Sequence, residues 1–196
     1  MAIKRDLEFL YELGCLRLVP RNWMRFLIPP VQNVSEHSFR VTWIALYLAR
    51  KEGADEAKTL KMALLHDLPE SRTGDCDYIT RQFIERKGDE ALSEMLSETV
   101  FGDLRELMKE YEARDSLEAK IVKDADNLDV DFELREQAAR GFKQPKGWKE
   151  IRDHVAENHF YTKSARELYA AIMDSDPNDW HLNASNRFKA GDWKKQ

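Results

Sequence analysis

The most regular segment of the chain reads Leu117-Glu-Ala-Lys-Ile-Val-Lys-Asp-Ala-Asp-Asn-Leu-Asp-Val-Asp-Phe132. Its apolar residues follow one another at intervals of four, four, three and four positions, which is the period of one helix face. These residues are Leu117, Ile121, Ala125, Leu128 and Phe132. Asp115, three positions before Glu118, resembles the start of a capping box. The segment therefore predicts a long amphipathic helix that begins near Asp115.

The rest of the chain is also predicted to be helical, because only eight glycines and six prolines interrupt it. Further helical segments are predicted over Asp6–Val19, Ser35–Lys51 with Ser35 as N-cap, Asp55–Pro69, 80–112 and Phe160–Met173. Loops are predicted over Pro20–Gln32, Ser71–Tyr78 and Gly141–Gly147. The segment after Ser35 is apolar on most sides and is predicted to lie centrally. Ala57, Leu60 and Leu64 are predicted to mark the inner face of the next helix. The fold class predicted is all-α.

Size and charge limit what the protein can do. The chain has 196 residues, with 31 Lys and Arg against 36 Asp and Glu, so the formal net charge is −5. This acidity excludes nucleic-acid binding by phosphate neutralisation, which requires a basic surplus. A hydrophobic fraction of 42% and a charged fraction of 34% are typical of a soluble globular protein. Without an internal repeat or a linker, a single domain over 1–196 is predicted.

Neither a membrane segment nor a disulfide framework is expected. The segment Met1–Leu10 contains four charged residues, and no window approaches the roughly 18 apolar residues of a membrane span. Cys15 and Cys76 are the two cysteines, and they lack the CxxC spacing of a zinc ribbon. The chain is therefore predicted to be cytoplasmic.

Metal-ligand residues occur at three places where helix packing does not require them. His37 lies near a helix start, His66 and Asp67 lie together at a helix end, and Asp126 lies in the most regular helix. Imidazole and carboxylate donors suit a divalent ion such as Mn, Co, Ni, Fe or Zn. Four such ligands around a six-coordinate ion leave two positions, for a water and a substrate oxygen.

Simpler interpretations of these residues remain open. A single histidine is more often hydrogen-bonded in the core or at the surface than bound to metal. Asp126 belongs to an acidic series with Asp124, Asp129 and Asp131, and such a series is typical of a solvated face. The adjacent pair His66 and Asp67 favours a metal, because it directly follows an apolar helix and needs partners that offset its desolvation.

Four motifs carry a resemblance to a known family. They are Val34-Ser-Glu-His-Ser-Phe-Arg40, Ala63-Leu-Leu-His-Asp-Leu-Pro-Glu70, Thr73-Gly-Asp75 and Leu117-Glu-Ala-Lys-Ile-Val-Lys-Asp-Ala-Asp-Asn-Leu-Asp129. In this order and spacing they resemble the HD-domain metal-dependent phosphohydrolases, and within them the branch that contains the 5′-deoxynucleotidases. The resemblance extends from about Leu7 to Arg135.

The resemblance implies a helical bundle, a metal and a reaction. The metal-site core would cover about 7–135, with C-terminal helices over about 148–196 packing on it. One divalent ion (Mn, Co, Zn, Mg, Ni or Fe) would be held by His37, His66, Asp67 and Asp126. The implied reaction is removal of phosphate from small (deoxy)nucleoside 5′-monophosphates by a metal-activated water. Members of the family commonly form homodimers. The aromatic residues Trp43, Trp148, Trp180 and Trp193 are consistent with such an interface, and the simpler alternative is that they fill the core.

The resemblance also assigns roles to four further residues. Glu70 matches the acid that orients or deprotonates the attacking water, and Asp75 matches a second functional acid. Arg21 matches an arginine that contacts phosphate, and Trp23 a tryptophan that packs near the sugar and disfavours a 2′-hydroxyl. Asn22 separates these last two residues, whereas some members have Arg and Trp directly adjacent. The simpler alternatives are a solvated glutamate at Glu70, a turn aspartate at Asp75, a solvated cation at Arg21 and a core aromatic at Trp23.

Two other functions remain open at this point. A phosphodiesterase or pyrophosphohydrolase needs positive charge for further phosphates, and the sequence has no basic cluster. A non-catalytic binding module stabilised by the metal needs neither Glu70 nor Asp75, so these two acids favour an enzyme.

Overall fold

The computed structural model describes residues 2–182, without the side chains of Ala2 and Met24. Its helices in chain order are α1 (Ala2–Leu13), α2 (Val34–Glu52), α3 (Glu56–Leu65), α4 (Glu70–Thr73), α5 (Gly88–Leu96), α6 (Leu104–Ala113), α7 (Leu117–Ala139), α8 (Lys146–Asn158), α9 (Lys163–Asp174) and α10 (Asp179–Leu182). Over these residues no β-strand forms, and one isolated bridge pairs Pro20 with Asn33. The predicted all-α class is confirmed.

Short 3₁₀ segments join some of the helices, at Gly14–Leu18, Asn22–Phe26 and Thr80–Gln82. The predicted first helix over Asp6–Val19 therefore changes to a 3₁₀ turn after Leu13, and Val19 leaves the turn in an extended conformation before Pro20. Within residues 2–182 no helix combines the length and apolarity that crossing a membrane requires. Trp193 and the other residues beyond position 182 lie outside the described residues.

The core forms where α2 packs against α7 and α3. From α2 it receives Val41, Ala45 and Leu48, and from α7 Ile121 and Leu128, each with at most 1% of its surface exposed. Burying one such large aliphatic side chain contributes roughly 1.5–3 kcal/mol. α9 packs on the other side of α7. The two longest helices of the described chain are therefore held side by side along their length.

The capping residues of α2 and α7 differ from the predicted ones. Asn33, not Ser35, caps α2 in a complete capping box: its side chain accepts from the Glu36 N–H and its own N–H donates to Glu36, both at 3.0 Å. Ser116, not Asp115, caps α7. Glu118 instead accepts a hydrogen bond from the Asp55 N–H at 3.0 Å and so joins the start of α7 to the start of α3.

One apolar side of the central helix is exposed, contrary to prediction. Phe39 and Trp43 on α2 have 69% and 60% of their surfaces exposed, and Leu64 on α3 has 64%. The inner face of α3 is formed instead by Thr59, Met62, Ala63 and Leu65. The reason is geometric, because α2 meets its neighbours through the opposite side of the helix, where Ala45 and Ala49 allow close approach.

The segment predicted as a loop over Ser71–Tyr78 begins as a helix. α4 runs from Glu70 to Thr73 and ends at Gly74, whose N–H donates to the Glu70 carbonyl at 2.9 Å. Gly74 has a φ of 72°, a left-handed conformation that favours glycine. This short helix places Glu70 at its first position, close to the end of α3.

The C-terminal helices pack on α7 through buried polar groups. Arg152 of α8 makes two 2.7 Å hydrogen bonds to the Asp131 carboxylate. The Asp124 carboxylate accepts from the N–H groups of Tyr161 and Thr162, both at 2.9 Å, just before α9 begins. Both aspartates are fully buried. That the whole of 1–196 forms one domain remains a prediction.

Candidate active site

Four predicted metal ligands lie together at the centre of the fold. The Nε2 atom of His37 lies 3.3 Å from the Nε2 atom of His66, 3.3 Å from Oδ2 of Asp67 and 3.3 Å from Oδ1 of Asp126. One donor atom from each of His37, His66 and Asp126 lies within 4.8 Å of the others. Asp67 joins this group beside the two histidines, 3.4 Å from Nε2 of His66.

The fold brings these side chains together from three places. His37 lies in the first turn of α2, and Asp126 lies near the middle of α7, on which α2 packs. His66 and Asp67 occupy the turn that follows α3, where the Glu70 N–H donates to the Asp67 carbonyl at 3.0 Å. Because the helix ends at Leu65, two consecutive side chains can face the same point.

The hydrogen bonds of the two imidazoles determine which nitrogen faces this point. Nδ1 of His66 lies 2.8 Å from the Ala63 carbonyl, which can only accept, so Nδ1 carries the proton. Nδ1 of His37 lies 2.6 Å from the Asp129 carboxylate and is likewise the donor. When both imidazoles are neutral, both Nε2 atoms therefore present lone pairs, together with carboxylate oxygens. A divalent cation with borderline preference for nitrogen and oxygen fits this donor set.

The charges of the site also favour the binding of a cation. Burial opposes a charged imidazole at His37, but hydrogen bonds to Asp126, Asp129 and Asp67 outweigh it and raise the pKa of His37 well above its ordinary value. Burial also opposes charge on Asp67, yet His66 and His37 hold its pKa well below the usual range. A metal ion that binds here must displace the proton that His37 otherwise holds.

Asp126 forms an ion pair with a lysine of its own helix. Its Oδ2 atom lies 2.8 Å from Nζ of Lys123, one turn earlier on α7, and its Oδ1 atom faces His37. Burial raises the pKa of Asp126, but Lys123 and His37 outweigh this effect and hold the pKa well below its ordinary value. Asp126 is therefore an ionised carboxylate with one oxygen directed at the centre.

Glu70 is buried, so the alternative of a solvated glutamate is wrong. Only 2% of its surface is exposed. Oε1 accepts a hydrogen bond from Nη1 of Arg86 at 2.8 Å, while Oε2 is buried and has no hydrogen-bond partner in the described chain. Burial and the negative charges of Asp67 and Asp75 raise the pKa of Glu70 to about 8. Glu70 thus has one anchored oxygen and one free oxygen.

Asp75 and Arg21 are also buried and contact each other. Nη1 of Arg21 lies 3.1 Å from Oδ2 of Asp67, and its Nε atom lies 3.6 Å from Oδ2 of Asp75. Asp75 accepts from the Asn22 N–H at 2.8 Å, and the Asn22 side chain donates back to the Asp75 carbonyl. The alternatives of a solvated Arg21 and a merely local turn at Asp75 are wrong, because these residues tie the segment after Pro20 to the metal-ligand turn.

Trp23 packs against α8. Its ring centroid lies 6.4 Å from that of Trp148, and Phe26 meets Trp148 edge-on at 6.2 Å. Trp23 is half-buried, and its Nε1–H is buried without a partner among the described residues. Trp148 therefore takes part in an aromatic cluster within the chain, rather than lying free for a subunit interface.

Four residues near the centre had no role predicted from the sequence: Asp129, Arg40, Arg86 and Lys123. The acidic series on α7 is not a solvated face, because Asp124, Asp129 and Asp131 are all fully buried. A signal for three of these residues was present in the sequence: Lys123 and Asp129 lie three positions before and after Asp126, and Arg40 follows His37 by three, so each lies one turn from a candidate ligand. Nothing in the sequence indicated that Arg86 would meet Glu70.

The fold and the site define an all-α protein whose helices enclose a two-histidine, two-aspartate centre. The HD-domain family matches residues 13–169 of the chain, which therefore belongs to the HD-domain family. The family resemblance found in the sequence is confirmed. Membership of this family, together with the donor set, implies a divalent metal ion.

Several known proteins are similar to this chain. The 5′-deoxynucleotidase HDDC2 of Bos taurus is 33% identical over 137 residues, which make up 66% of each protein. The 5′-deoxynucleotidase HDDC2 of Dictyostelium discoideum is 33% identical over 153 residues, covering 71% of this chain and 78% of the relative. A conserved hypothetical protein from Pyrococcus furiosus superposes with a TM-score of 0.68 at 28% identity, covering 86% of this chain and 97% of that structure. The match thus spans about two thirds of the bovine relative's length.

Proposed function

We propose that the protein is a metal-dependent phosphohydrolase that removes the phosphate group from deoxynucleoside 5′-monophosphates. One observation carries the proposal: Glu70 is buried, its charge interacts with that of Asp67, and one of its oxygens has no hydrogen-bond partner among residues 2–182. A purely structural metal centre needs no such group. The 5′-deoxynucleotidase relatives support this reaction type and this substrate class.

The metal would be held by His37, His66, Asp67 and Asp126. A divalent ion bound there lowers the pKa of a water molecule and polarises a phosphate oxygen. The mixed donors accept Mn, Co, Ni, Fe or Zn, and Mg with a higher share of water. Since the chain supplies the site from three separate elements, it has this centre only when folded.

Glu70 is the proposed proton acceptor. Arg86 fixes its Oε1 atom, so that the free Oε2 atom can accept a proton from the attacking water. The protonated carboxyl group then donates to the 5′ oxygen as that oxygen leaves, so phosphate and a nucleoside are formed without a covalent intermediate. Without a metal ion the pKa of Glu70 is raised to about 8. A carboxyl group whose pKa lies near the working pH can both accept and donate a proton.

Arg21 and Asp75 are the proposed phosphate-side residues. Arg21 brings a planar, permanently charged guanidinium to the edge of the metal-ligand turn, and its Nε atom is buried without a hydrogen-bond partner among residues 2–182. Asp75 holds Arg21 and the Asn22 backbone in place. Lys123 and Arg86 add two further cations, which provides local positive charge in an acidic protein.

Trp23 is the proposed sugar-side residue, where its ring would disfavour a 2′-hydroxyl. It lies two positions after Arg21 and packs against Trp148, which Phe26 meets edge-on. Asn22, which lies between Arg21 and Trp23, is itself held in place, because both its backbone and its side chain are hydrogen-bonded to Asp75. The proposed deoxy preference therefore rests on an aromatic residue that neighbouring groups hold in one position.

The decisive experiment measures phosphate release from matched deoxy- and ribonucleoside 5′-monophosphates. The protein is stripped of metal and refilled in turn with Mn, Co, Mg and Zn, and Asp67→Ala serves as the control. We expect metal-dependent release that favours the deoxy series and disappears in the control. Release from neither series would reject the proposal and direct attention to phosphodiesters.

We also propose that the protein is a homodimer and that its interface lies on the α2–α3 face. A groove of about 930 Å³ opens there, lined on one side by the exposed Phe39, Trp43 and Leu64 and on the other by apolar residues of α1. Projecting side chains beside a groove on the same face suit a twofold interface. Lys61 and Asp103 also line the groove, and a second copy can pair one with the other.

The available area is consistent with a dimer. Phe39, Trp43 and Tyr47 follow one another at intervals of four residues and are 69%, 60% and 45% exposed. At about 200 Å² for a whole aromatic side chain, they offer roughly 350 Å² of apolar surface, a large part of the ~800 Å² that each partner of a typical interface buries.

A cytoplasmic location is proposed as well, because Cys15 is an exposed free thiol and Cys76 is also unpaired.

A further inference from the structure

A buried hydrogen-bond network lies behind His37, on the side away from the metal centre. Asp129 of α7 is fully buried, and its Oδ2 atom lies 2.6 Å from Nδ1 of His37 and accepts from Nε2 of Gln32 at 2.6 Å. Its Oδ1 atom accepts from Nε of Arg40. Both oxygens of this carboxylate are thus occupied by donors from the segment around α2.

Arg40 is held in turn from several directions. It follows His37 by one turn on α2, so the two side chains reach Asp129 from the same helix face. Its Nη1 atom lies 2.7 Å from Glu136, its Nη2 atom lies 3.5 Å from Glu133, and its guanidinium lies over the Phe132 ring at 5.6 Å. The side chain remains 25% exposed, in a small cleft at the surface.

This arrangement determines how His37 meets a metal. A carboxylate only accepts, so Asp129 keeps the proton on Nδ1 and leaves the Nε2 lone pair toward Asp67, Asp126 and His66. A full negative charge behind the ring also strengthens the imidazole as a ligand. Without a compensating cation, however, the fully buried Asp129 would be a third carboxylate close to His37, beside the half-buried Asp67 and Asp126. Arg40 supplies that cation.

We propose that Asp129 and Arg40 are a positioning pair for the metal centre: Asp129 fixes the tautomer and orientation of His37, and Arg40 holds the Asp129 carboxylate in place. The inference rests on the proposed role of His37 as a metal ligand. Neither residue is proposed to touch the substrate or the metal.

The test measures Co²⁺ binding to the metal-stripped, full-length chain, by titration and by visible absorption of the bound ion. In Asp129→Asn an NH₂ group replaces one carboxylate oxygen. Because this NH₂ group must face a donor on either Arg40 or His37, one of these two hydrogen bonds is lost. We expect Co²⁺ affinity to fall about 10- to 100-fold, the range found when such supporting groups are lost. The absorption spectrum of the bound ion should also change.

Asp131→Asn provides the matched control. Asp131 lies on the same helix, is equally buried and is also paired with an arginine, but it bonds Arg152 and touches none of the four ligands. We expect this variant to lose stability while its Co²⁺ affinity stays within about twofold of wild type. Equal losses of affinity in both variants would overturn the inference, because they would show a general structural effect.

Arg40, whose side chain is partly exposed, provides a second test if Asp129→Asn does not fold. Arg40→Ala should weaken Co²⁺ binding, and Arg40→Lys should restore part of it because the ammonium can still reach Asp129. In the Zn²⁺-loaded wild type, ¹⁵N spectra should show Nδ1 of His37 protonated. Wild-type affinity in Arg40→Ala, or a proton on Nε2, would overturn the inference. If the wild type itself binds no Co²⁺ or Zn²⁺, the proposed function fails as well.

Discussion

Glu70 illustrates how much a single residue depends on its surroundings. The motif around it predicted a functional acid, but position in the motif does not reveal that Arg86, sixteen residues later, would bind one of its oxygens. Nor does it reveal the burial that leaves the other oxygen without a partner among residues 2–182. A carboxyl group in this environment is destabilising when charged unless a cation lies nearby.

The proton on Glu70 should affect stability in the metal-free protein. Unfolded glutamate has a pKa of 4.5, whereas burial and the charges of Asp67 and Asp75 raise the pKa of Glu70 to about 8. Between these values the folded protein keeps a proton that the unfolded chain releases, so the free energy of unfolding falls as pH rises, by up to about 1.4 kcal/mol per pH unit. Glu70→Gln cannot titrate and should escape this loss.

Urea unfolding with a chelator present, from pH 5 to pH 8, measures the effect. Wild type should lose stability relative to Glu70→Gln as pH rises through this range. Parallel stability curves for the two proteins would show that Glu70 titrates near its ordinary pKa.

At the scale of elements, the sequence located helices better than their ends. The apolar period of α7 is a property of its own residues and correctly predicted the helix. The predicted cap of α2, Ser35, is wrong, and Asn33 is the N-cap. Both residue types favour the N-cap position, and only the backbone conformation decides between them. Asn33 has the extended conformation of an N-cap, with φ −91° and ψ 176°, while Ser35 lies inside the helix.

Two alanine substitutions separate these residues. Asn33→Ala removes the side-chain half of the capping box, whereas the backbone N–H of residue 33 can still donate to Glu36. It should cost about 1 kcal/mol of the free energy of unfolding, as for other caps of this type. Ser35→Ala should change stability much less, because no cap is lost. Chemical unfolding of the two variants measures the difference, and a larger loss for Ser35→Ala would contradict the assigned cap.

At the scale of the whole molecule, the exposed α2–α3 face is the feature that most needs a partner. Its exposed apolar area is similar to that of the largest patch on a typical monomeric protein, and such a patch is often functional. Trp43 at its centre and Trp180 on α10 are both strongly exposed, at 60% and 80%. They form a natural pair for comparing an interface residue with an ordinary surface residue.

Trp43→Glu should convert the proposed dimer to a monomer, because it places a charge in an apolar interface. Trp180→Glu should leave the dimer intact. Sedimentation velocity over a range of protein concentrations measures both masses, and circular dichroism checks that both variants remain helical. A wild-type protein that sediments as a monomer at all concentrations would remove the dimer from the proposal.

The sequence by itself determined the all-α class, the family and the identity of the residues that meet at the centre. The helical period acts over a few neighbouring residues, and the motifs are short stretches whose order and spacing can be read along the chain. Tertiary structure alone decided which aspartates of α7 serve which partner, that Arg21 would be buried between Asp67 and Asp75, and that Phe39 and Trp43 would be exposed. Burial and charge pairing depend on which surfaces of distant helices meet, and no local pattern in the chain carries that information.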